Sequence, residues 1–159
     1  MGRAALTALL LTGCGYRFIA PASTLPAGLK SVHVPVFVNA TPEAGVEALC
    51  TQSLRDVYLR NGLLGGEGAD GRIEGTVVSV SSVPLTVSPR RLPNYRLAMV
   101  VTLKLMRGTT PIHAVTVTGG EEFPGGADML WSETWRGAAM RRVIDNLMRE
   151  ASERLATGW

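Results

Sequence analysis

Apolar residues recur along this chain with two periods, and the points where the period changes mark out six elements. Val32, Val34, Val36 and Val38 alternate with Ser31, His33, Pro35 and Phe37, which predicts a strand with one apolar face. Pro35 has no N–H to give a ladder, so that strand belongs on a sheet edge. Thr41-Pro42-Glu43 reads as a helix start: a capping hydroxyl, proline at the first turn, then an acid near the positive end of the helix. Val46, Leu49, Cys50, Leu54 and Val57 follow at helical spacing, and Asn61-Gly62 closes the helix. After a glycine-rich turn from Gly65 to Gly71, residues 72–82 are rich in Val, Ser and Thr, as a strand is. A hairpin connection holding Pro84, Pro89, Arg90, Arg91 and Pro93 leads into the clearest strand of the chain. There Tyr95, Leu97, Met99, Val101, Leu103 and Leu105 face one way, and Arg96, Ala98, Val100, Thr102 and Lys104 face the other. Gly108-Thr109-Thr110-Pro111 turns, residues 112–123 form another strand, and 124–130 read as a loop. A helix from about Glu133 to Ala156 ends the chain, with Ala139, Met140, Val143, Ile144, Leu147, Met148, Ala151 and Leu155 as its apolar stripe.

The order β-α-β-β-β-α sets the architecture. A helix between the first two strands makes them parallel neighbours, and the remaining strands form an antiparallel meander. Both helices can then cover one sheet face. The predicted fold is α+β, a two-layer sandwich of a four-stranded mixed sheet with two helices on one face. A chain of 159 residues suits one such domain. At 46% apolar and 18% charged residues it has the make-up of a folded protein rather than a disordered one.

The first residues read as an address. Met1-Gly2-Arg3 is followed by a short apolar run too brief to span a bilayer, the pattern of an export signal. It ends in Leu11-Thr12-Gly13-Cys14, which resembles the lipobox of bacterial lipoprotein precursors. That resemblance implies cleavage before Cys14, lipid on its sulfur and acylation of the new amine. Several acyl chains at about 0.8 kcal/mol per buried CH₂ make a durable membrane anchor. Gly15 rather than Asp follows the cysteine, which favours the outer membrane. The expected division is 1–13 signal peptide, 14–30 lipidated cysteine and tether, 31–159 a single domain. Cys50 lies on the buried stripe of the first helix, where a free thiol packs as a small hydrophobe. No C-x-x-C is present and His33 and His113 lie far apart, so neither a metal nor a cofactor is expected beyond the lipid on Cys14.

Several short runs together resemble the LptE family of lipopolysaccharide-assembly lipoproteins. They are Cys14-Gly15-Tyr16-Arg17-Phe18, Leu25-Pro26-Ala27-Gly28-Leu29, Val34-Pro35-Val36-Phe37, the Asn61-Gly62 helix end and Asn94-Tyr95-Arg96. The final amphipathic helix completes the likeness. The resemblance implies a sheet packed on two helices, sitting inside the LptD outer-membrane β-barrel as a plug. It implies help in assembling that barrel and lipopolysaccharide binding during delivery to the outer leaflet, without enzyme activity. It also implies a place at the outer membrane, facing periplasm and barrel lumen.

The charge pattern bears on the ligand. The formal net charge is only +3, yet from Gly75 to Gly120 there is no Asp or Glu, while Arg90, Arg91, Arg96, Lys104 and Arg107 all fall there. A guanidinium fork pairs with phosphate, and an ammonium acts as a point charge. Arg90 and Arg91 match the basic loop of the family, with Arg96 and Lys104 on the polar face of the long strand as further lipopolysaccharide contacts. Strand cations also discourage edge-to-edge aggregation, and that reading stands beside the first. Met129 to Trp135, ahead of the last helix, carries no basic residue for a second clamp. Trp131 and Trp135 are expected to pack in the core, with a barrel wall as the alternative. Nucleic acid is not an expected partner, because aromatic residues are not interleaved with the cations. Neither G-x-S-x-G nor H-E-x-x-H occurs, and Glu121 and Glu122 point to opposite strand faces. The competing function is an envelope lipoprotein that activates a peptidoglycan synthase or scaffolds another complex.

Overall fold

Leu25 and Leu29, both buried, flank one 3₁₀ turn, Pro26–Gly28. The computed structural model describes residues 25–85, 92–126 and 128–157. Cys14, Arg90 and Arg91 lie outside the described residues. The elements in order are β1 (Val32–His33), β2 (Val38–Asn39), α1 (Val46–Arg60), β3 (Gly71–Pro84), β4 (Asn94–Arg107), β5 (Thr110–Pro124) and α2 (Met129–Thr157). The sheet is mixed. β1 and β2 run parallel to β3 on one edge, and β3, β4 and β5 form the antiparallel meander. Both helices lie on one face, so the two-layer α+β sandwich is as expected. The sheet counts five strands because the first is split.

The split has a physical cause and corrects the simple alternation. Val32 pairs with Gly71 and Val38 with Thr76, so the edge chain advances six residues while β3 advances five. The extra residue falls around Pro35, as in a bulge, and one extra residue turns every later side chain to the other face. Val32 and Val34 are buried, but Val36 and Val38 are 64% and 63% exposed, and Phe37 points inward instead. Its ring lies over Gly75, where an added Cβ would come within 2.4 Å of it. Helix α1 satisfies the backbone groups freed by the break. The Phe37 N–H donates to the Thr51 hydroxyl at 2.9 Å, and the Arg55 guanidinium donates to the Val34 carbonyl at 2.9 and 2.6 Å.

Thr41-Pro42-Glu43 forms a turn, and α1 starts only at Val46 after Gly45 at φ +86°. The helix ends as expected, with Asn61 at the C-cap and Gly62 at φ +67°. Cys50 is fully buried, and burial pushes its thiol up to about 12, so it packs rather than reacts. In β4, Leu97, Met99, Val101, Leu103 and Leu105 are all fully buried. The eight stripe residues predicted for α2 are buried without exception. α2 begins at Met129, four residues earlier than expected. Asp128 caps it, its side chain accepting the Trp131 N–H at 2.9 Å. The helices are tied by Ser53 donating to Asp145 at 2.8 Å, and Arg136 of α2 grips the carboxylate of Glu43, in the turn ahead of α1, with both guanidinium nitrogens.

Candidate functional site

The meander gives the molecule two unlike poles. At one, the chain arrives through the 3₁₀ turn, and Arg107 at the end of β4 donates to the Ala27 carbonyl. The two-residue β4–β5 turn, with Gly108 at φ +57°, lies there too. At the other pole β3 ends, β4 begins, β5 ends and α2 begins. Leu85 donates to Asn94 and Gly125 to Pro93 across these ends, both at 2.7 Å. The β3–β4 connection, which carries Arg90 and Arg91, joins the strands at this pole.

Strand parity places Arg96 and Lys104 on the same outer sheet face, as expected, and both are exposed. They are nevertheless far apart: eight residues of strand at ~3.4 Å each is about 27 Å. Arg96 stands at the hairpin pole and Lys104 near the opposite one. The register also changes their electrostatics. Lys104 pairs with Glu74 on β3, and Arg96 with Glu122 on β5. Acids that lie outside the acid-free stretch of sequence, Glu74 and Glu122, are thus brought beside its cations in space. Lys104 also shares a depression of about 260 Å³ with Glu74, Arg72 and the exposed Val36 and Val38. Arg72 and Glu74 form an ion pair at 3.2 Å in that wall, so its charge is mixed. Arg107 is committed to Ala27. Arg136, the first basic residue of α2, is committed to Glu43, whose carboxyl it holds below the ordinary carboxylate range through hydrogen bonds.

The feature the sequence reading missed is apolar. Val83, Leu85 and Leu92 beside the hairpin, and Met129, Leu130, Trp131 and Trp135 on the first turns of α2, are all exposed. Met129 is 83% and Leu130 78% exposed, and Trp131 at 56% is not in the core. The expectation that the two tryptophans pack inside is overturned: α2 begins ten residues ahead of its first buried residue, Ala139, and Trp131 and Trp135 fall in that exposed lead. Asp128 followed by Met-Leu-Trp was the available signal. Both helices also point their N-terminal, positive ends toward this half of the molecule. Glu121 binds Arg142 at 2.8 Å while Glu122 is exposed on the outer face, so the two acids do not meet. No group of three potential metal ligands is formed among the described residues. No helix among them is long and apolar enough to cross a membrane.

These features define a two-layer α+β domain with exposed apolar side chains and Arg96 gathered at one pole. The fold has close counterparts among solved structures. A minor lipoprotein from Acinetobacter baumannii superposes with a TM-score of 0.56 at 14% identity, covering 82% of this chain and 94% of that one. A protein from Xanthomonas campestris gives 0.58 at 15% identity, over 84% and 90% of the two chains. Lipoprotein B from Nitrosomonas europaea gives 0.53 at 11% identity, over 91% and 92%. No curated protein sequence matches the chain. The family model LptE, lipopolysaccharide-assembly, matches residues 29–157. The chain belongs to that family, and with it to lipopolysaccharide assembly.

Proposed function

We propose that this protein is an outer-membrane lipoprotein, lipid-anchored at Cys14, that plugs the LptD β-barrel, aids its assembly and binds lipopolysaccharide at the hairpin pole. Family membership supports the setting. The observation that carries the ligand reading is the set of exposed apolar side chains at the pole where Arg96 stands; Arg90 and Arg91 belong to the connection between β3 and β4 and lie outside the described residues. An amphiphile with phosphates beside acyl chains needs both kinds of surface together. The arginines take phosphate oxygens by bidentate hydrogen bonds. Leu92, Met129, Leu130 and Trp131 cover part of the hydrocarbon, each residue burying apolar area at roughly 25 cal/mol per Å². Lys104, at the other pole and beside Glu74, belongs to a different surface. The work is binding and delivery, with no bond made or broken.

Two measurements test this. A C-terminally tagged chain extracted in mild detergent brings down a large outer-membrane β-barrel in near-equal amount; recovery of a cell-wall synthase instead moves the function to the competing reading. Arg90→Glu with Arg91→Glu weakens lipopolysaccharide binding by the purified protein, and equal binding by wild type and variant removes those residues from the site.

A further inference from the structure

The two edges of the sheet are treated differently. The β1–β2 edge is broken at Pro35 and shielded by α1 contacts, as edges usually are. The β5 edge runs from Thr110 to Pro124 in one piece, and no strand among the described residues pairs with its outer side. The hydrogen-bond phase of that edge follows from one bond. Gly125 N–H donates to the Pro93 carbonyl, so 93 and 125 form a bonded pair and every second pair along the ladder does likewise. Ala114, Thr116, Thr118, Gly120 and Glu122 fall in the alternate pairs and turn their N–H and C=O away from β4. All five are exposed. Proline stands near the ends of this run, at Pro111 and Pro124, and nowhere within it. The first four side chains are small and uncharged, so they leave the backbone open to approach. This is a template about 27 Å long, at ~3.4 Å per residue, that no strand among the described residues covers.

We propose that the outer edge of β5 is a docking edge to which an extended strand of another protein adds. Its chemistry fits that occupant: five alternating donor–acceptor pairs recognise extended polypeptide backbone and little else. Helix α2 supplies the flank. Arg154 reaches over the edge to donate to the outward Thr116 carbonyl at 3.4 Å, a long contact that an incoming N–H replaces. Its guanidinium is half exposed and already shared with Glu150 at 2.6 Å, leaving donors for a carboxylate or carbonyl of the added strand. A second copy fits poorly. Two-fold pairing of β5 with itself around Thr116 and Thr118 sets two Arg154 guanidiniums against each other, and like charges there oppose the contact. This inference stands apart from the identity of the barrel partner and from the lipopolysaccharide site.

The test places a photoreactive benzophenone amino acid at position 116 of the full-length chain, in the envelope of the bacterium that carries it, with position 98 on the outer face as control. The expected result is an adduct from position 116 about tenfold above that from 98, mapping to one extended segment of one other protein. Thr118→Pro in the same chain lowers that yield about tenfold, because it removes an outward donor and blocks strand addition. Its domain stays folded, with the melting temperature within about 2 °C, since the N–H lost bonds nothing in β4. Thr118→Lys, which adds a charge without touching the backbone, lowers the yield in the same direction. An adduct at twice the chain's own mass, an adduct within the chain, a yield no greater than at 98, or one indifferent to both substitutions overturns the proposal.

Discussion

Phe37 and Gly75 form a lock whose energetics can be worked out before any measurement. Phe37 is only 3% exposed, and its ring occupies the space a side chain at 75 would need. In Gly75→Ala the new Cβ would stand 2.4 Å from ring carbons, so the ring or strand must shift. Overpacking of this kind costs about 1–3 kcal/mol. In isolation the same substitution stabilises a strand by roughly 0.5–1 kcal/mol, because glycine loses more backbone entropy on folding. Phe37→Leu removes part of the ring and by itself costs on the order of 1–2 kcal/mol for lost burial and the space left behind. The sign of Gly75→Ala therefore depends on residue 37: destabilising beside Phe, neutral or stabilising beside Leu. The double variant should be more stable than the sum of the singles by at least about 1 kcal/mol. Urea unfolding of the four proteins, compared at constant slope, reads this coupling directly. Additivity within about 0.3 kcal/mol would refute the lock and with it the inward turn of the chain after Pro35.

Three further outcomes are expected. Thr51→Val leaves the buried Phe37 N–H without its acceptor and should cost about 1–3 kcal/mol in urea unfolding, whereas Thr51→Ser, which keeps the oxygen, costs less. Because Arg136 lowers the Glu43 pKa in the folded state, that pair's contribution is complete above the ordinary carboxylate pKa of about 4.3 and is lost as pH falls through the lower folded value. The stability difference between wild type and Glu43→Gln, a fraction of a kcal/mol to about 1 kcal/mol at pH 7 for a partly exposed pair, should accordingly shrink as pH falls below the ordinary carboxylate range; a constant difference would deny the ion pair its role. Arg96→Glu should weaken lipopolysaccharide binding severalfold while Lys104→Glu leaves it unchanged, and the reverse order in a binding titration would move the site to the other pole.

Much of the fold could be read because it rests on local periodicity. The alternation in β4 and the α2 stripe each report one face of one element, and burial follows them at every position except Tyr95, which is half-buried. The chain between β1 and β2 misled for a definite reason. Val32 to Val38 alternate without a break, and only the register against β3 reveals the extra residue near Pro35. Phe37 in a nominally outward position was the lone local hint. The site divides the same way. That Arg96 and Lys104 share a face, and lie far apart on it, follows from counting along the strand. That Glu74 and Glu122 sit opposite them does not, since it depends on which strands pair and in what register. The exposed tryptophans escaped because burial of an apolar helix turn depends on whether another element packs against it.

The opposition of the two poles has a mechanical consequence. The chain reaches the domain beside Arg107, and the hairpin springs from the far ends of β3 and β4. With 14 residues in β4, at ~3.3 Å each, roughly 45 Å of rigid sheet separates the two. Whatever holds the chain upstream of Leu25 therefore acts at one end of the sheet, and the reach of the other end is set by strand length: only a change in the meander itself alters it.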